Sequence, residues 1–502
     1  MKILLKGFVC ASDFSSVSRQ TVLIENDRIT AIQKDIIGTA AADKIYSFKD
    51  EIIAPGFIDA HGHSDLSALA APECFSKITQ GITGEVCGNC GLSAFPLTEN
   101  NREHLEALYS NYALPLDWDD CKSCMNKISG YAPALRLFPL CGHNTLRAAV
   151  AGYEKKELST AELEKMCSLL ESQLICGAPG LSSGLLYVPG CNSTPDELLA
   201  LMKVLARHDK VYTTHLRSES SQLLESLEET LVLAHQSGIK KVLISHLKTA
   251  GKENFHKLSP ALELIAEYRK KGMDVRFDRY PYIESQTMLS VVLGEAYSKY
   301  GDSELSALLS HPEEYSKAVQ HLRILRDEKY WQSRRLAGTK APGYRKYQGE
   351  FFSSIPGEPA ETVVDILRQD GANSMVAAAG MSENNMMKII SHDLCLFGSD
   401  GNALPPDDRF GRPHPRSFGA APRFARLLLD NGSRIEKVCA KLSGNTAGFF
   451  ALDKCGSIAV GNCADITVFS PEMIDSKADF ADPQRPAVGI PLVIANGKIH
   501  LF

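Results

Sequence analysis

The chain reads as an α/β protein: a (β/α)8 barrel of the TIM type, with a small β-sandwich domain built from both chain termini and a lid-like insertion ahead of the eighth strand. Three observations predict this. Eight short apolar runs recur along the middle of the chain, and helix signals fill several of the gaps between them. The two ends alternate polar and apolar residues, as half-buried strands do.

The runs are IIAPGFIDAH, GITGEVCG, ALRLFPLCGH, GAPGLSSGLLY, KVYTTHLR, KVLISHLK, DVRFDRYPY and LCLFGSD. Strands buried on both faces of a parallel sheet have this near-continuous apolar character. Between them, Ser159 and Glu162 stand at capping-box spacing ahead of LEKMCSLLESQL. Thr194, Pro195 and Glu197 supply the cap, first-turn proline and box glutamate for ELLALMKVLAR. The helical SQLLESLEETLVLAHQSG ends on Gly238, a common helix stop.

At the termini, TVLIENDRITAIQ is a strand, a turn and a strand, and GIPLVIANGKIHLF repeats the pattern around Asn496 and Gly497. Residues 1–53 and 455–502 are therefore assigned to the small β domain and 54–454 to the barrel. Within the barrel, residues from about 290 to 390 hold the charged helical stretch HPEEYSKAVQHLRILRDEKYWQSRR and the strand-like SMVAAAGMS. An insertion of this size in a barrel loop acts as a lid, or as an appendage or oligomer contact.

Composition narrows the class. The 502 residues are 44% hydrophobic and 23% charged with net charge -6, and no basic block marks a nucleic-acid surface. No apolar run approaches the ~18 residues of a membrane span. Lys6 interrupts the opening MKILLKGFVCAS, which is read as a strand rather than a signal peptide. The 14 cysteines are scattered without dense spacing, as reduced thiols of a cytoplasmic enzyme would be. Charge alone selects no oligomeric state.

The chemistry collects at strand ends. APGFIDAHGHSDL delivers His61 and His63 two residues apart at the end of the first run, where side chains two apart share a face. His215 closes VYTTH, His246 closes VLISH and Asp400 closes LCLFGSD. Barrel active sites lie at the C-terminal ends of the strands. Imidazoles with a carboxylate there point to a divalent metal, with zinc the best fit.

These residues also carry a resemblance that covers nearly the whole chain. PGFIDAHGHSD and the GSD aspartate resemble the amidohydrolase superfamily. QGITGEVCGNCGLSAFPL, GHNTLR, GLSSGLLYVPG, THLRSE, ISHLK, YPYIESQTML, HPRSFG and GSIAVGNCADITVFSPEMID resemble, in order, blocks of its D-aminoacylase branch. The resemblance implies a Zn2+ enzyme that hydrolyses N-acyl-D-amino acids. It implies that Cys90, His215 and His246 hold one tight zinc, and that His61, His63 and Asp400 form a second, weaker metal position or hydrogen-bond the reacting groups. Asp400 is the implied general base. Tyr187 is placed near the substrate carbonyl, His143 at the mouth of the third strand, and Lys248, Tyr282 and Arg416 at the substrate carboxylate.

Four departures stand out: Gly62 in place of threonine, expected to matter little because it faces away; leucine after His246; Arg279 in place of a small residue; and a longer loop between Asp400 and Arg416. Two other readings remain. A cyclic-amide hydrolase of the hydantoinase or dihydroorotase type would want a lysine at the fourth strand, where GLSSGLLY has none. A non-catalytic amidohydrolase-like scaffold should have lost ligands, and none is missing.

Overall fold

A computed structural model describes residues 1–34, 42–297, 300, 302–370 and 374–502. Parts of the expected terminal domain (35–41) and of the expected insertion (298–299, 301 and 371–373) lie outside the described residues.

All eight apolar runs form strands, and every pairing among them is parallel. Phe57–Asp59, Ile82–Cys87 and Arg136–Pro139 make one sheet; Cys141–Gly142, Gly180–Gly184, Val211–His215, Lys241–Ile244, Asp274–Arg279 and Cys395–Phe397 make another, both in chain order. The third run spans both sheets and is interrupted only at Leu140, whose N–H still donates to the Cys87 carbonyl at 2.9 Å. At the far edge the last strand reaches the first: Ala60 N–H donates to Phe397 O at 2.9 Å, and Asp400 N–H to His61 O at 2.7 Å.

Residues of these strands alternate between two cores, which is why the runs are apolar throughout. Ala60, Val86, Leu140, Val211, Leu243 and Leu396 pack together on one side. Phe57, Ile82, Leu137, Tyr212, Val242, Ile244, Val275 and Phe277 face the helices. The helix signals hold as well. Ser159 and Glu162 form a full capping box on Thr160–Ile175, Thr194 caps Pro195–Arg207, and Gly238 ends Leu223–Ser237 at φ 77°. The Cys121–Tyr131 helix carries CKSC, capped by Asp120.

Both termini contribute to one seven-stranded sheet, ordered Lys498–Leu501, Leu492–Ala495, Ile466–Phe469, Lys44–Pro55, Lys2–Cys10, Val17–Glu25 and Arg28–Gln33. Asn496 and Gly497 both take positive φ, 47° and 74°, as the two-residue hairpin between the last strands requires. Lys44–Pro55 runs two residues past the expected boundary and leads through Gly56 into the first parallel strand.

A separate antiparallel sheet, Glu284–Met288, Met375–Ala379 and Arg334–Gly338, carries its own core with Leu289, Val319, Leu322, Trp331, Phe352 and Leu367. This unit starts earlier than position 290, because Glu284–Met288 pairs with a strand some ninety residues later, a partner that local sequence does not reveal. It also ends earlier than 390: Met386, Ile389 and Ile390 of the Glu383–Ser391 helix pack into the main core. No helix among the described residues is long and apolar enough to cross a membrane.

Candidate metal centre

The polar residues at the C-terminal ends of the parallel strands converge. His61 is fully buried; its Nδ1 lies 3.2 Å from Asp278 Oδ2, and its Nε2 lies 3.4 Å from Cys90 Sγ. His246 approaches the same sulfur from the other side, with Nε2 at 3.4 Å, and turns its Nδ1 to Glu219 Oε1 at 2.8 Å. Asp400 Oδ1 is 3.6 Å from His61 Nε2 and 3.0 Å from His63 Nε2. One donor atom each from His61, Cys90, His246 and Asp400 falls within 4.8 Å of the others. His215, Glu219 and His246 form a second such group.

The backbone is bent to deliver these groups. Cys90, His246 and Asp400 take positive φ of 52°, 35° and 52°, a region that costs a non-glycine residue of order 1–3 kcal/mol. Hydrogen bonds hold two of them there: Asp400 N–H on His61 O, and His246 N–H on Asp278 Oδ1 at 3.0 Å.

Two features show that a metal fits. His215 is buried with neither ring nitrogen hydrogen-bonded, an arrangement that costs free energy unless a further group satisfies it. Burial would push the Cys90 thiol up, yet His61 and His246 beside it hold it well below its ordinary value, in the direction of the ligating thiolate. Sulfur, imidazole and carboxylate together are a zinc donor set. The donor groups overlap: Cys90 Sγ lies 3.4 Å from both His61 Nε2 and His246 Nε2, and His246 belongs to both groups.

Arg416 reaches the centre despite the longer loop: its Nη1 lies 2.7 Å from Asp400 Oδ2. Arg412 anchors that loop through Nη2 to the carbonyls of Phe480 and Ala481, each at 2.7 Å. Burial would raise the Asp400 carboxyl, but Arg416 and His63 hold it well below the usual carboxylate range. Lys248 is also here, its Nζ bound to Glu219 and 2.8 Å from His246 Nδ1. The Tyr187 ring packs against His215 at 5.0 Å, and its hydroxyl meets Thr287 Oγ1 of the inserted sheet at 3.4 Å.

Tyr282 and His143 make their contacts outside the two donor groups. Tyr282 turns its hydroxyl to Pro415 O at 3.4 Å and its ring to His414, which buttresses the start of the Arg416–Asp430 helix. Tyr280 is the tyrosine beside Arg416: its ring lies 4.9 Å from the Arg416 guanidinium, and its buried hydroxyl has no hydrogen-bond partner. The strand explains the exchange, since Tyr280 follows Asp278 on the same face before Pro281 turns the chain. His143 opens the His143–Ala151 helix and is wholly buried on Glu197 Oε1 at 2.8 Å, which Arg147 shares; it orders that helix and does not join the centre.

Beneath the centre lies a charge network that the sequence reading missed. Lys77, fully buried, donates to Asp59 Oδ2 and Ser399 Oγ, both at 2.8 Å, and pairs with Glu85 Oε2 at 2.8 Å. Asp59 accepts the N–H groups of His61 and Ser399, and Glu85 accepts that of Ser64. Gly62 is consequently not neutral: a Cβ there would fall 2.1 Å from Glu85 Cδ, so the glutamate occupies the space a threonine would need. Glu219 and Asp278 were also missed, although both lie within the quoted THLRSE and DVRFDRYPY. Lys77 gave no signal in CFSKITQG.

Buried imidazoles and a thiolate-prone cysteine at the C-terminal ends of parallel strands, with an aspartate after the last, define a metal-dependent amidohydrolase. A scan against protein-family models finds no match. Among curated proteins, the chain is 30% identical over 484 residues to N-acyl-D-glutamate deacylase of Alcaligenes xylosoxydans xylosoxydans, spanning 95% of this chain and 89% of that protein. It is 29% identical to the D-aminoacylase of the same organism, over 99% of this chain and 93% of that one. Among solved structures, N-acyl-D-glutamate deacylase from Bordetella bronchiseptica, complexed with zinc and a phosphonate inhibitor, superposes with TM-score 0.82 at 27% identity, covering 99% of this chain and 96% of that one. The chain belongs to the D-aminoacylase (N-acyl-D-amino-acid deacylase) family of the amidohydrolases.

Replacing Lys77 with methionine leaves two carboxylates buried without a countercharge and is expected to cost about 3–5 kcal/mol. A urea-unfolding midpoint equal to that of the unaltered protein would contradict this role. Cys90→Ala removes the sulfur between His61 and His246, and elemental analysis after dialysis should show zinc content falling to a small fraction of one per chain. Full retention would mean that the sulfur is not a ligand.

Proposed function

We infer that the protein is a zinc-dependent hydrolase of N-acyl-D-amino acids, which cleaves the linear amide to a carboxylate and a free D-amino acid. The observation that carries this reading is the juxtaposition of the Cys90–His61–His246–Asp400 donor group with the Arg416 guanidinium, in a chain 30% identical to an N-acyl-D-glutamate deacylase.

Cys90, His215 and His246 would hold the tight zinc, a choice supported by the buried His215 nitrogens, which make no hydrogen bond though Nε2 lies 3.6 Å from Glu219 Oε2, and His61, His63 and Asp400 the weaker position. When bound, the metal supplies Lewis acidity toward the amide carbonyl and acidifies water. The chain's own residues do the rest. Asp400 takes a proton from the attacking water and returns it to the leaving amine, while His63 fixes the carboxylate's orientation. Arg416, Lys248 and Tyr280 bring positive charge and a free hydroxyl to one side of the centre, where the substrate's carboxylate docks by charge-assisted hydrogen bonds. Tyr187, its ring 5.0 Å from that of His215, would approach the acyl oxygen with its hydroxyl.

The architecture supports the same reading. The bonds from Ala60 to Phe397 and from Asp400 to His61 favour an eight-stranded (β/α)8 barrel closed between its first and last strands. Residues 1–53 with 455–502 form the small β domain. Its core of Ile3, Leu5, Val22, Ile24, Ile466 and Ile494 comes from a single sheet, which favours a sheet folded on itself as a sandwich. The contact of Thr287 with Tyr187 supports a lid role for the insertion. All 14 cysteines are free thiols, which favours a cytoplasmic enzyme.

Asp400→Asn keeps the fold and most donors but removes the base. The variant should retain zinc and lose about 10²- to 10⁴-fold in kcat, read by release of free amine from an N-acetyl-D-amino acid. Unchanged turnover would remove Asp400 from this role.

A further inference from the structure

Cys455 and Cys463 lie far along the chain from the metal-centre cysteine, on the crossing between the Asn445–Phe450 helix and the Ile466–Phe469 strand. Their sulfurs and a carboxylate oxygen of Asp465 all fall within 4.8 Å of one another. Cys463 N–H donates to Lys454 O at 3.0 Å, which holds the two backbone segments side by side. Lys454 and Gly456, flanking Cys455, take φ of 54° and 78° and turn the chain back on itself.

Two guanidinium groups attend this cluster. Arg28 Nη1 donates to Cys463 Sγ at 3.3 Å, and Arg136 Nε to Asp465 Oδ2 at 3.1 Å. Positive charge beside a sulfur favours its thiolate, the reactive form of cysteine. The same two charges oppose a metal cation at these three donors. Cys463 is 7% exposed, open to small reagents only, whereas half-buried Cys455 lines a cleft with Ser12, Phe14, Ala447 and Leu452. Cys455 beside it draws the Cys463 thiol down to about 6, with help from Arg136 and Arg28 and against burial and Asp465, while Cys455 is pushed up. With the Arg28 guanidinium on its sulfur, Cys463 is the better placed to attack and Cys455 to resolve.

We propose that Cys455 and Cys463 are a reversible dithiol–disulfide site oxidised by hydrogen peroxide, with Cys463 as the attacking sulfur. The Cys463 thiolate attacks one peroxide oxygen, the O–O bond breaks, and hydroxide leaves and is protonated to water. The Cys455 sulfur then attacks the sulfenic acid, the S–O bond breaks, and the hydroxyl departs as a second water with the Cys455 proton. The two sulfurs lose two electrons in all, and one peroxide becomes two waters.

The cross-link would close the loop at a junction. Asp465 accepts Gly56 N–H at 2.8 Å through its carbonyl and Asn496 N–H at 3.0 Å through its carboxylate, so the loop ties the first parallel strand to the terminal hairpin.

Trypsin leaves both cysteines in one peptide, residues 455–477, with no lysine or arginine between them. The zinc-loaded protein is treated with one equivalent of peroxide, alkylated, digested and analysed by mass spectrometry. That peptide should appear two hydrogens lighter and unalkylated, and should become fully alkylatable after a dithiol reductant. In Cys455→Ser, a 1,3-dicarbonyl probe should trap a sulfenic acid on Cys463 instead. Full alkylation of residues 455–477 while other cysteines oxidise would overturn the proposal. So would a reduced protein in which bound zinc, rather than a disulfide, protects both thiols.

Discussion

The Lys77 ammonium, buried between Asp59 and Glu85, ties together three segments that have to agree before the metal centre exists. Asp59 ends the first strand and orients the His61 amide; Glu85 lies on the second strand and orients the Ser64 amide; Ser399 and Gly401 belong to the turn that carries Asp400. Lysine is seldom fully buried, because desolvating its charge costs several kcal/mol. Here two carboxylates and two oxygens from one turn surround it, and each carboxylate is itself satisfied by backbone N–H groups. The His61–His63 segment and the turn that carries Asp400 are therefore positioned by one charge. Gly62 is confined by the same network, since Glu85 fills its side-chain space.

Above that network the centre is organised by opposed charges. Arg416 and His63 keep Asp400 ionised, Lys248 and His215 keep Glu219 ionised, and Glu219 in turn holds the Nδ1 side of His246 so that Nε2 faces the sulfur. A metal ligand whose second nitrogen is fixed in this way presents one defined lone pair. His61 is held likewise by Asp278. The positive φ values at Cys90, His246 and Asp400 are the backbone cost of bringing donors from separate strands to one point.

Much of this was legible in the sequence, for identifiable reasons. The eight parallel strands stand out because both of their faces are buried, and the histidines of the candidate centre stand out because they end those runs. The capping residues of Thr160–Ile175 and Pro195–Arg207 act within one turn and so can be read locally. What was hidden depends on partners distant in the chain. Lys77 looks like a surface lysine until Asp59, Glu85 and Ser399 surround it. Tyr282 and Tyr280 flank one proline, and only the strand's facing decides which meets Arg416. The inserted sheet begins at Glu284 because Met375–Ala379 pairs with it, and nothing near Glu284 announces that strand.

A zinc site of this kind, beside Arg416, would act on an amide substrate of one hand. Initial rates of amine release from paired N-acetyl-D- and N-acetyl-L-amino acids, with zinc-loaded protein, distinguish the hands. Turnover of D-isomers, with the L-isomers slower by orders of magnitude, is expected. Equal rates on both hands, or hydrolysis of L-isomers alone, would contradict it.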